Sequence, residues 1–412
     1  KSKLFFEKDK SFETTAGIIA DFNNDGFDDV VLGGGGNEYL KGDDHFSLRY
    51  YLNDKNGELI VSDALSQFKG NISTILASDY DKDGDIDLFV GASVVPGNYG
   101  QIPRSFLLNN NGNGKFNDVT PSELSKVGMI TSGVWSDFNT DGYPDLILVG
   151  EWSPLITFTN NEGKLTKEER YDENPSGWWM TIKAKDLDLD GDDDLIVGNW
   201  GENSTFKATR EQPLEMFVKD FDQNGKTEFI INWYPPLDEV AYPFATRMEL
   251  MRQLTMLKKK NVTYDAYAQK TFNTLFTKAQ QSGAIALKAE ELRSGVFWNE
   301  DKKWRFEALP NQAQLSPVFS IIAEDFNGDE IPDLWLGGNF WGLKPQVGRL
   351  NSSNGLMLFG SKNKTFKTVK NRVSGVEIDG EIRDAVYISQ GGIEGIVFGI
   401  NNKELKFYRF QK

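Results

Sequence analysis

The strongest constraint on this chain is a nine-residue acidic phrase that recurs along it, each time followed by apolar residues. In its clearest copy, Asp79 to Asp87, acidic side chains occupy positions 1, 3, 5 and 9, and Gly84 at position 6 permits a sharp turn. The run Leu88-Phe89-Val90-Gly91 that follows is typical of a buried strand. Five carboxylates this close together would repel one another unless a cation lay among them. A hard divalent cation with oxygen ligands fits, and Ca²⁺ accepts an irregular cage more readily than Mg²⁺.

Six copies of the phrase predict about six structural Ca²⁺ sites. In each copy the predicted ligands are the residues at positions 1, 3, 5, 7 and 9. These are Asp21, Asn23, Asp25, Phe27 and Asp29; Asp79, Asp81, Asp83, Asp85 and Asp87; Asp137, Asn139, Asp141, Tyr143 and Asp145; Asp186, Asp188, Asp190, Asp192 and Asp194; Asp220, Asp222, Asn224, Lys226 and Glu228; Asp325, Asn327, Asp329, Ile331 and Asp333. The sixth copy carries Glu330 where glycine is expected, which predicts a strained or loosened loop. A seventh position at 387–395 keeps the turn and strand without the carboxylates, and no metal is predicted there.

A second repeated hairpin lies between the acidic loops, with copies that begin near Tyr51, Leu107, Phe158, Phe297 and Leu358. In each copy, strand residues flank a turn rich in Asn, Asp and Gly. One hairpin of each kind makes a four-stranded antiparallel unit, and such units in series are typical of a propeller. The sequence therefore predicts an all-β fold, a seven-bladed β-propeller with calcium-binding loops and a helical insertion. The short interval between the fourth and fifth phrases keeps six blades as an alternative.

The predicted domain organisation is one propeller over residues 1–412 with a helical insertion over 235–283. Met248, Met251, Leu254 and Leu257 recur at helical spacing in the insertion, and Asn261 or Thr263 could cap a second helix. The insertion is either a cap packed on the propeller or a helix pair that binds a partner. We also expect the segments 4–12 and 405–410 to share the last blade, because this would cover two strand edges.

Composition narrows the class of partner and the compartment. The formal charge of −16 argues against nucleic-acid binding, and six bound Ca²⁺ would bring it to −4. The chain has no cysteine, so neither a disulfide nor a thiolate site can form. Loops of this kind in extracellular modules often bind calcium at about 10⁻⁴–10⁻³ M, which indicates a location outside the cell. No stretch approaches the roughly 20 apolar residues of a membrane span, and any signal peptide or lipid anchor lies upstream of Lys1.

The acidic phrase with its following strand resembles the FG-GAP/VCBS repeats of integrin α-subunit propellers and bacterial surface proteins. The chain is more closely similar to the cartilage acidic protein-like (ASPIC/UnbV-associated) VCBS proteins of Bacteroidota, in segments that include 94–105, 176–179, 198–203, 264–267 and 348–352. The resemblance implies a calcium-loaded propeller on an exported cell-surface protein, often a lipoprotein, associated with the outer membrane and with nutrient uptake or adhesion. A TonB-dependent transporter complex is a partner that fits this setting. The resemblance supplies no catalytic residue.

The residues favour a binding function over catalysis. His45 is the one histidine, and nearly all clustered carboxylates are assigned to metal. Long loops at the face opposite the calcium loops carry the candidate ligand-binding residues Tyr99, Arg104, Trp152, Trp200, Trp341 and Arg349. These aromatic side chains either form an exposed binding face or fold inward and fill the loops. The leading interpretation is a non-catalytic, calcium-stabilised propeller that binds a protein or glycan at a bacterial surface. The alternative is an extracellular polysaccharide-degrading lyase or hydrolase on a propeller scaffold.

Overall fold

The computed structural model describes residues 9–169, 171, 173–300, 303–345 and 347–410. Within these residues, 28 strands form seven antiparallel sheets, so the predicted all-β propeller is confirmed. Six of the sheets surround a central channel, and the first strand of each lines it. We number these sheets as blades 1 to 6 along the chain.

Each blade is built outward from its channel-lining strand. Blade 1 holds β1 (Thr14–Ala20), β2 (Asp29–Gly34), β3 (Arg49–Asn53) and β4 (Leu59–Ser62), and blade 2 holds β5 (Asn71–Ser78), β6 (Asp87–Val94), β7 (Phe106–Asn110) and β8 (Phe116–Asp118). Blade 3 holds β9 (Met129–Ser136), β10 (Asp145–Ser153), β11 (Ile156–Asn161) and β12 (Lys164–Glu168), with β13 (Gly177–Trp178) paired to β10, and blade 4 holds β14 (Thr181–Lys185), β15 (Asp194–Gly198), β20 (Gly295–Glu300) and β21 (Lys303–Ala308). Blade 5 holds β22 (Val318–Glu324), β23 (Asp333–Gly338), β24 (Leu356–Phe359) and β25 (Lys367–Val369), and blade 6 holds β26 (Ile382–Gln390), β27 (Ile393–Ile400) and β28 (Lys406–Arg409).

Hydroxyl side chains join the innermost strands of neighbouring blades. Thr15, Ser73 and Thr131 lie where the register of the first strand shifts against the second in blades 1, 2 and 3. Each donates a hydrogen bond to a carbonyl at the start of the next blade, at 2.5, 2.5 and 2.9 Å. These bonds fasten the ring around the channel, while buried apolar side chains such as Trp179 and Trp335 fill the space within and between the blades.

The seventh sheet is inserted into blade 4, between its second and third strands. It consists of β16 (Leu214–Lys219), β17 (Glu228–Trp233), β18 (Tyr242–Pro243) and β19 (Ile285–Ala289) in the order β18-β17-β16-β19. The fifth acidic phrase joins β16 to β17, so this sheet carries an acidic loop although it lies outside the ring. The seven units predicted from the sequence therefore match the total number of sheets among the described residues. The alternative prediction of six matches the number of blades around the channel.

Short helices complete the inserted segment and two connections between blades. The α-helices are α1 (Ser122–Ser125), α2 (Arg247–Gln253), α3 (Tyr264–Ala268), α4 (Phe272–Leu275), α5 (Lys278–Gln281) and α6 (Asn371–Ser374), and 3₁₀ turns occupy Asp44–Phe46, Thr255–Lys260 and Asn311–Gln314. Helices α2 to α5 lie within the predicted insertion, and Thr263 caps α3 by accepting the Ala266 N–H at 3.1 Å. Leu250 and Leu254 are buried with Phe221 and Ile230, so the helices pack on the inserted sheet. We call residues 214–289 the inserted module.

The inserted module lies on the loops that connect the second and third strands of the blades. Gly100 in blade 2 allows a close approach, because a Cβ there would lie 2.4 Å from Val218 Cγ2 of the module. Lys344 of blade 5 pairs with Glu249 of the module at 3.0 Å. The Glu290 N–H, next to β19, donates to the Ser176 carbonyl beside blade 3 at 2.6 Å. The module therefore contacts blades 2, 3 and 5 as well as blade 4 that carries it.

Blade 6 differs from the others in having three strands among the described residues. Its first two strands are joined at Gly391 and Gly392, with φ of +61° and +76°, where the other blades have an acidic loop. Residues 4–8 of the segment expected to share this blade lie outside the described residues. In residues 9–12 the Phe12 N–H donates a hydrogen bond to the Asp9 carbonyl at 2.9 Å, which forms a turn. The sharing of blade 6 by the two ends thus stays a prediction. No helix among the described residues has the length and apolar character needed to cross a membrane.

Candidate metal centres

The six acidic loops share one hydrogen-bonded frame. In every loop the position-1 aspartate accepts the N–H of position 6, at 2.7–3.1 Å. The side chain at position 5 accepts the N–H of position 7, at 2.8–3.2 Å. Because the same residue types form the same bonds in all six loops, the local sequence is sufficient to set this turn.

Two backbone positions of each loop are left-handed. Position 4 has φ between +57° and +82°, and position 6 has φ between +68° and +99°. Glycine occupies position 6 in five loops, and Glu330, with φ of +68°, occupies it in the sixth. The predicted strain at Glu330 is therefore present. The loop is not loosened, since the Glu330 N–H still donates to Asp325 at 2.8 Å.

Replacing Glu330 with glycine is expected to stabilise the protein by about 0.5–1 kcal/mol, because it removes a left-handed side-chain conformation at an exposed position. Urea unfolding with and without Ca²⁺ measures the change. Gly142→Ala is the matched control: φ is +93°, and the nearest heavy atom to an added Cβ is 3.6 Å away, so only backbone strain opposes it. We expect Gly142→Ala to destabilise by about 1 kcal/mol, and an unchanged or less stable Glu330→Gly protein would contradict the prediction.

The position-9 carboxylate ties each loop to its sheet. These residues are Asp29, Asp87, Asp145, Asp194, Glu228 and Asp333, each no more than 2% exposed. In the five ring loops it accepts a backbone N–H at the end of the third strand of the blade, at 2.7–2.9 Å. In the inserted sheet, Glu228 instead accepts the Phe221 N–H of its own loop at 2.9 Å. The position of this buried carboxylate thus depends on the sheet as well as on the loop that carries it.

Three loops bring three carboxylate oxygens within 4.8 Å of one another. The clusters are Asp79, Asp81 and Asp87; Asp186, Asp188 and Asp194; Asp220, Asp222 and Glu228. The other three loops carry asparagine at position 3, and an amide oxygen is also a ligand that Ca²⁺ accepts. At position 7, Phe27, Lys226 and Ile331 can offer only a backbone carbonyl, the group that calcium loops use at this position.

Unpartnered oxygens inside the loops indicate that a cation fits there. Asp79 Oδ1, Asp87 Oδ2 and Asp222 Oδ1 are buried and receive no hydrogen bond from the described part of the chain. A buried carboxylate oxygen without a donor is costly, and a bound cation removes that cost. In the fourth loop, Lys364 Nζ lies 2.7 Å from Asp188 Oδ2, so a side-chain cation already neutralises part of that cluster.

The buried acids bind protons more tightly than free carboxylates do. Burial, with neighbouring carboxylates, raises the pKa of Asp87 to about 7 and that of Asp194 to about 7. Burial and the charges of Asp190 and Asp188 raise the pKa of Asp192 to about 6. In the absence of metal, a fraction of these groups therefore holds a proton near neutral pH, and a cation must displace it.

This proton affinity predicts the sign of a pH effect. A carboxyl whose pKa is raised by folding contributes stability at low pH, and that contribution is lost as pH rises through the folded-state pKa. In EGTA the melting temperature should fall from about pH 4 to about pH 7, while the increase caused by Ca²⁺ should grow over the same range. Thermal scans in both buffers measure it. Asp87→Asn should flatten the EGTA profile, and a profile that rises with pH in EGTA would contradict the prediction.

Buried asparagines link the acidic loops of blades 1, 2 and 3 to the next blade. The Asn160 side chain, fully buried at the end of β11, donates Nδ2 to the Tyr80 carbonyl of the blade 2 loop at 2.7 Å. Asn110 and Asn299 make the equivalent bonds to the loops of blades 1 and 3, at 2.8 and 3.0 Å. In the sequence these asparagines are part of the repeated Asn/Gly turn, and their recurrence at the end of a strand is the signal that marks them.

Asn160→Ala should destabilise the protein by about 2 kcal/mol, because it leaves two buried carbonyls without their donor. Chemical unfolding in Ca²⁺ measures the loss. Asn53→Ala is the control, since its side chain bonds at the surface to the Asp28 carbonyl of its own blade at 3.1 Å. We expect the control to cost less than about 0.5 kcal/mol. Equal losses in the two variants would show that the link between blades is unimportant.

The predicted ligand face is largely covered. Trp152 and Trp200 are 3% and 4% exposed and pack with side chains of the inserted module, as the inward alternative expects. Arg104 pairs with Asp118 at 2.6 Å, and the Arg349 guanidinium lies 5.3 Å from the centre of the Trp341 ring. Tyr99 is partly buried and donates to Glu151 at 2.5 Å. Glu151 lies within β10, and a single acid in a strand carries no sequence signal of a site.

His45 is engaged within its loop. Its Nδ1 lies 2.6 Å from Asp43 Oδ1, and its ring stacks on Tyr39 with centroids 3.7 Å apart. Both contacts join His45 to residues of its own loop.

Comparison with known proteins identifies the repeat. The family described as FG-GAP-like repeat matches residues 21–90 and 137–197. Cartilage acidic protein 1 of Mus musculus is 29% identical over 152 residues, and that of Homo sapiens is 28% identical over 152 residues. Each match covers 35% of this chain and 22% of the relative, so the aligned segment spans about a fifth of those proteins. A solved structure titled "Structure of Dos1 propeller" aligns with a TM-score of 0.43 at 9% identity, over 97% of this chain and 78% of that one.

Proposed function

Because the chain is a propeller with FG-GAP-like repeats, distantly related to cartilage acidic protein 1, we propose that it is a calcium-stabilised binding scaffold without catalytic activity. Six acidic loops hold structural Ca²⁺, and the fastened ring presents loops to a protein or glycan. The proposed setting is the surface of a bacterial cell, in an outer-membrane complex for nutrient uptake or adhesion. A TonB-dependent transporter complex is the candidate partner in that setting.

One observation carries the calcium proposal: three of the six loops bring three carboxylate oxygens within 4.8 Å of one another, and buried oxygens in these loops, including Asp87 Oδ2, have no hydrogen-bond donor within the described residues. Calcium satisfies such oxygens with six to eight ligands in flexible geometry. No described histidine or cysteine belongs to these clusters, which disfavours zinc.

Calorimetric titration of the metal-free protein with Ca²⁺ tests this proposal directly. We expect about six sites, with the fourth loop weaker because Lys364 competes for Asp188. Lys364→Met should strengthen that site, and Lys55→Met serves as the control because Lys55 lies 3.5 Å from Asp25 of the first loop and is more exposed. Fewer than three sites, or equal binding of Mg²⁺, would refute calcium as the natural ion.

The binding role is tested by affinity capture from native membranes in Ca²⁺ and in EGTA. A specific partner should be retained in Ca²⁺ and lost in EGTA, since chelation would loosen the ring. A partner retained equally in both buffers would show that binding does not depend on the metal-stabilised fold.

The structure offers little support for the alternative of a polysaccharide-degrading enzyme. Such chemistry uses a pair of facing carboxyl groups. Among the described residues that line the central channel, of about 600 Å³, Asp384 is the one carboxylate, together with Arg383 and Lys183. Incubation with acidic and neutral polysaccharides, followed by reducing-end and unsaturated-product assays, is expected to show no turnover.

A further inference from the structure

A cavity of about 420 Å³ lies between the ring and the inserted module, a volume within the range of small-ligand sites. Tyr99 and Glu151 form one wall, at the ends of blades 2 and 3. Thr227 and Phe229, beside the fifth acidic loop, and Gln253 at the end of α2 form the other. The Tyr99 and Phe229 rings meet edge to face with centroids 5.2 Å apart, which joins the two walls of the cavity.

Glu151 is the charged group of this cavity. Its Oε2 accepts the Tyr99 hydroxyl at 2.5 Å, and Tyr99 in turn accepts the Trp152 indole N–H at 2.8 Å. No lysine or arginine among the described residues forms an ion pair with Glu151. Burial raises the pKa of the Glu151 carboxyl, which reflects poor solvation of its charge. Within the described part of the chain, Glu151 thus faces the cavity with a hydroxyl donor and without a basic side chain.

The lining favours an organic cation over a metal or an anion. One carboxylate falls short of the oxygen ligands that Ca²⁺ requires, and none of the described residues that line the cavity has a basic side chain for an acidic ligand. The carboxylate can pair with an ammonium group, and the two aromatic rings can contact its carbon substituents or its charge.

We propose that the cavity between Glu151, Tyr99 and Phe229 binds an organic ammonium group, presented either by a small amine or by a lysine side chain of a partner protein. This proposal rests on the binding role proposed above and supplies its chemistry. Phe229 directly follows Glu228, the position-9 acid of the fifth loop, so calcium in that loop also holds one wall of the cavity in place.

Ligand-observed NMR on the full calcium-loaded chain tests the proposal. The probes are n-butylammonium, its neutral isostere 1-butanol, and the blocked tripeptide acetyl-Gly-Lys-Gly-amide. We expect both cationic probes to bind at least about 10-fold more tightly than the alcohol, because only they can pair with Glu151. Binding of n-butylammonium without the tripeptide assigns a small amine, and tighter binding of the tripeptide assigns a partner lysine. Equal binding of the alcohol would overturn the proposal.

Two variants distinguish binding in this cavity from nonspecific attraction of cations to the negatively charged protein. Glu151→Gln removes the charge with little change of shape and should lower affinity for n-butylammonium by about 10-fold or more, whereas Glu38→Gln, an exposed acid of a blade 1 loop, should leave it within about twofold. Equal losses in both variants would refute a specific site. If Glu151→Gln does not fold, the cation-to-alcohol ratio of the natural chain still decides. Absent cation binding with intact calcium binding would refute this site and leave the calcium-stabilised scaffold standing.

Discussion

Chelation of calcium is expected to lower the melting temperature by about 10 °C or more. Six sites with dissociation constants of about 10⁻⁴–10⁻³ M, at roughly 10 mM Ca²⁺, would each stabilise the folded state by about 1.4–2.7 kcal/mol. Together they contribute on the order of 10 kcal/mol. With an unfolding entropy of about 2.1 cal/mol/K per residue, a chain of 412 residues loses about 10 °C or more when that contribution is removed.

Differential scanning calorimetry in Ca²⁺ and in EGTA measures this shift. Mg²⁺ at the same concentration is the control for ionic strength, and it should restore little of the loss because it demands a stricter octahedral geometry. An unchanged melting temperature in EGTA would contradict the assignment of the six loops as structural metal sites.

Asp87→Asn is expected to have effects of opposite sign with and without calcium. Asp87 is 1% exposed, its Oδ1 accepts the Asn110 N–H at 2.7 Å, and its Oδ2 has no donor within the described residues. In Ca²⁺ the variant loses a charged ligand and should be destabilised by about 3 kcal/mol. In EGTA it loses a buried charge that faces other carboxylates, and the amide can donate to one of them, so it should be stabilised by about 1 kcal/mol.

Chemical unfolding of the natural protein and of Asp87→Asn, each in Ca²⁺ and in EGTA, tests this change of sign. Asp28→Asn is the matched control, because Asp28 stands at position 8 of the first loop, is exposed, and is no predicted ligand. It should change stability by less than about 0.5 kcal/mol in either buffer. Destabilisation of Asp87→Asn by the same amount in Ca²⁺ and in EGTA would mean that Asp87 serves the hairpin and holds no metal.

The acidic loops could be predicted residue by residue because their structure is local. Positions 1 and 5 bond to backbone N–H groups within five residues, and glycine at position 6 marks a left-handed turn. The strand after each loop and the Asn/Gly hairpins could be predicted equally well, since the hydrophobic pattern of a strand and the residue preferences of a turn are set over short distances in sequence. Thr263 as the cap of α3 is another such case.

The placement of the fifth loop could not be predicted in this way. Its phrase predicts the same hairpin as the other five, and β16 and β17 form that hairpin. Exclusion of this hairpin from the ring depends on long-range pairing, because β15 of blade 4 pairs with β20, about 100 residues later. Strand pairing between distant segments leaves no mark in the local residue pattern.

The sequence by itself determined the six acidic turns and the repeated strands and hairpins of an all-β propeller, because each follows from contacts within a few residues. The tertiary structure alone decided that the inserted module covers Trp152 and Trp200 and that Glu151 faces a cavity in which the described lining residues include no lysine or arginine. The physical reason is that burial and charge neutralisation depend on which distant segments pack together, and a residue's type does not record its neighbours in space.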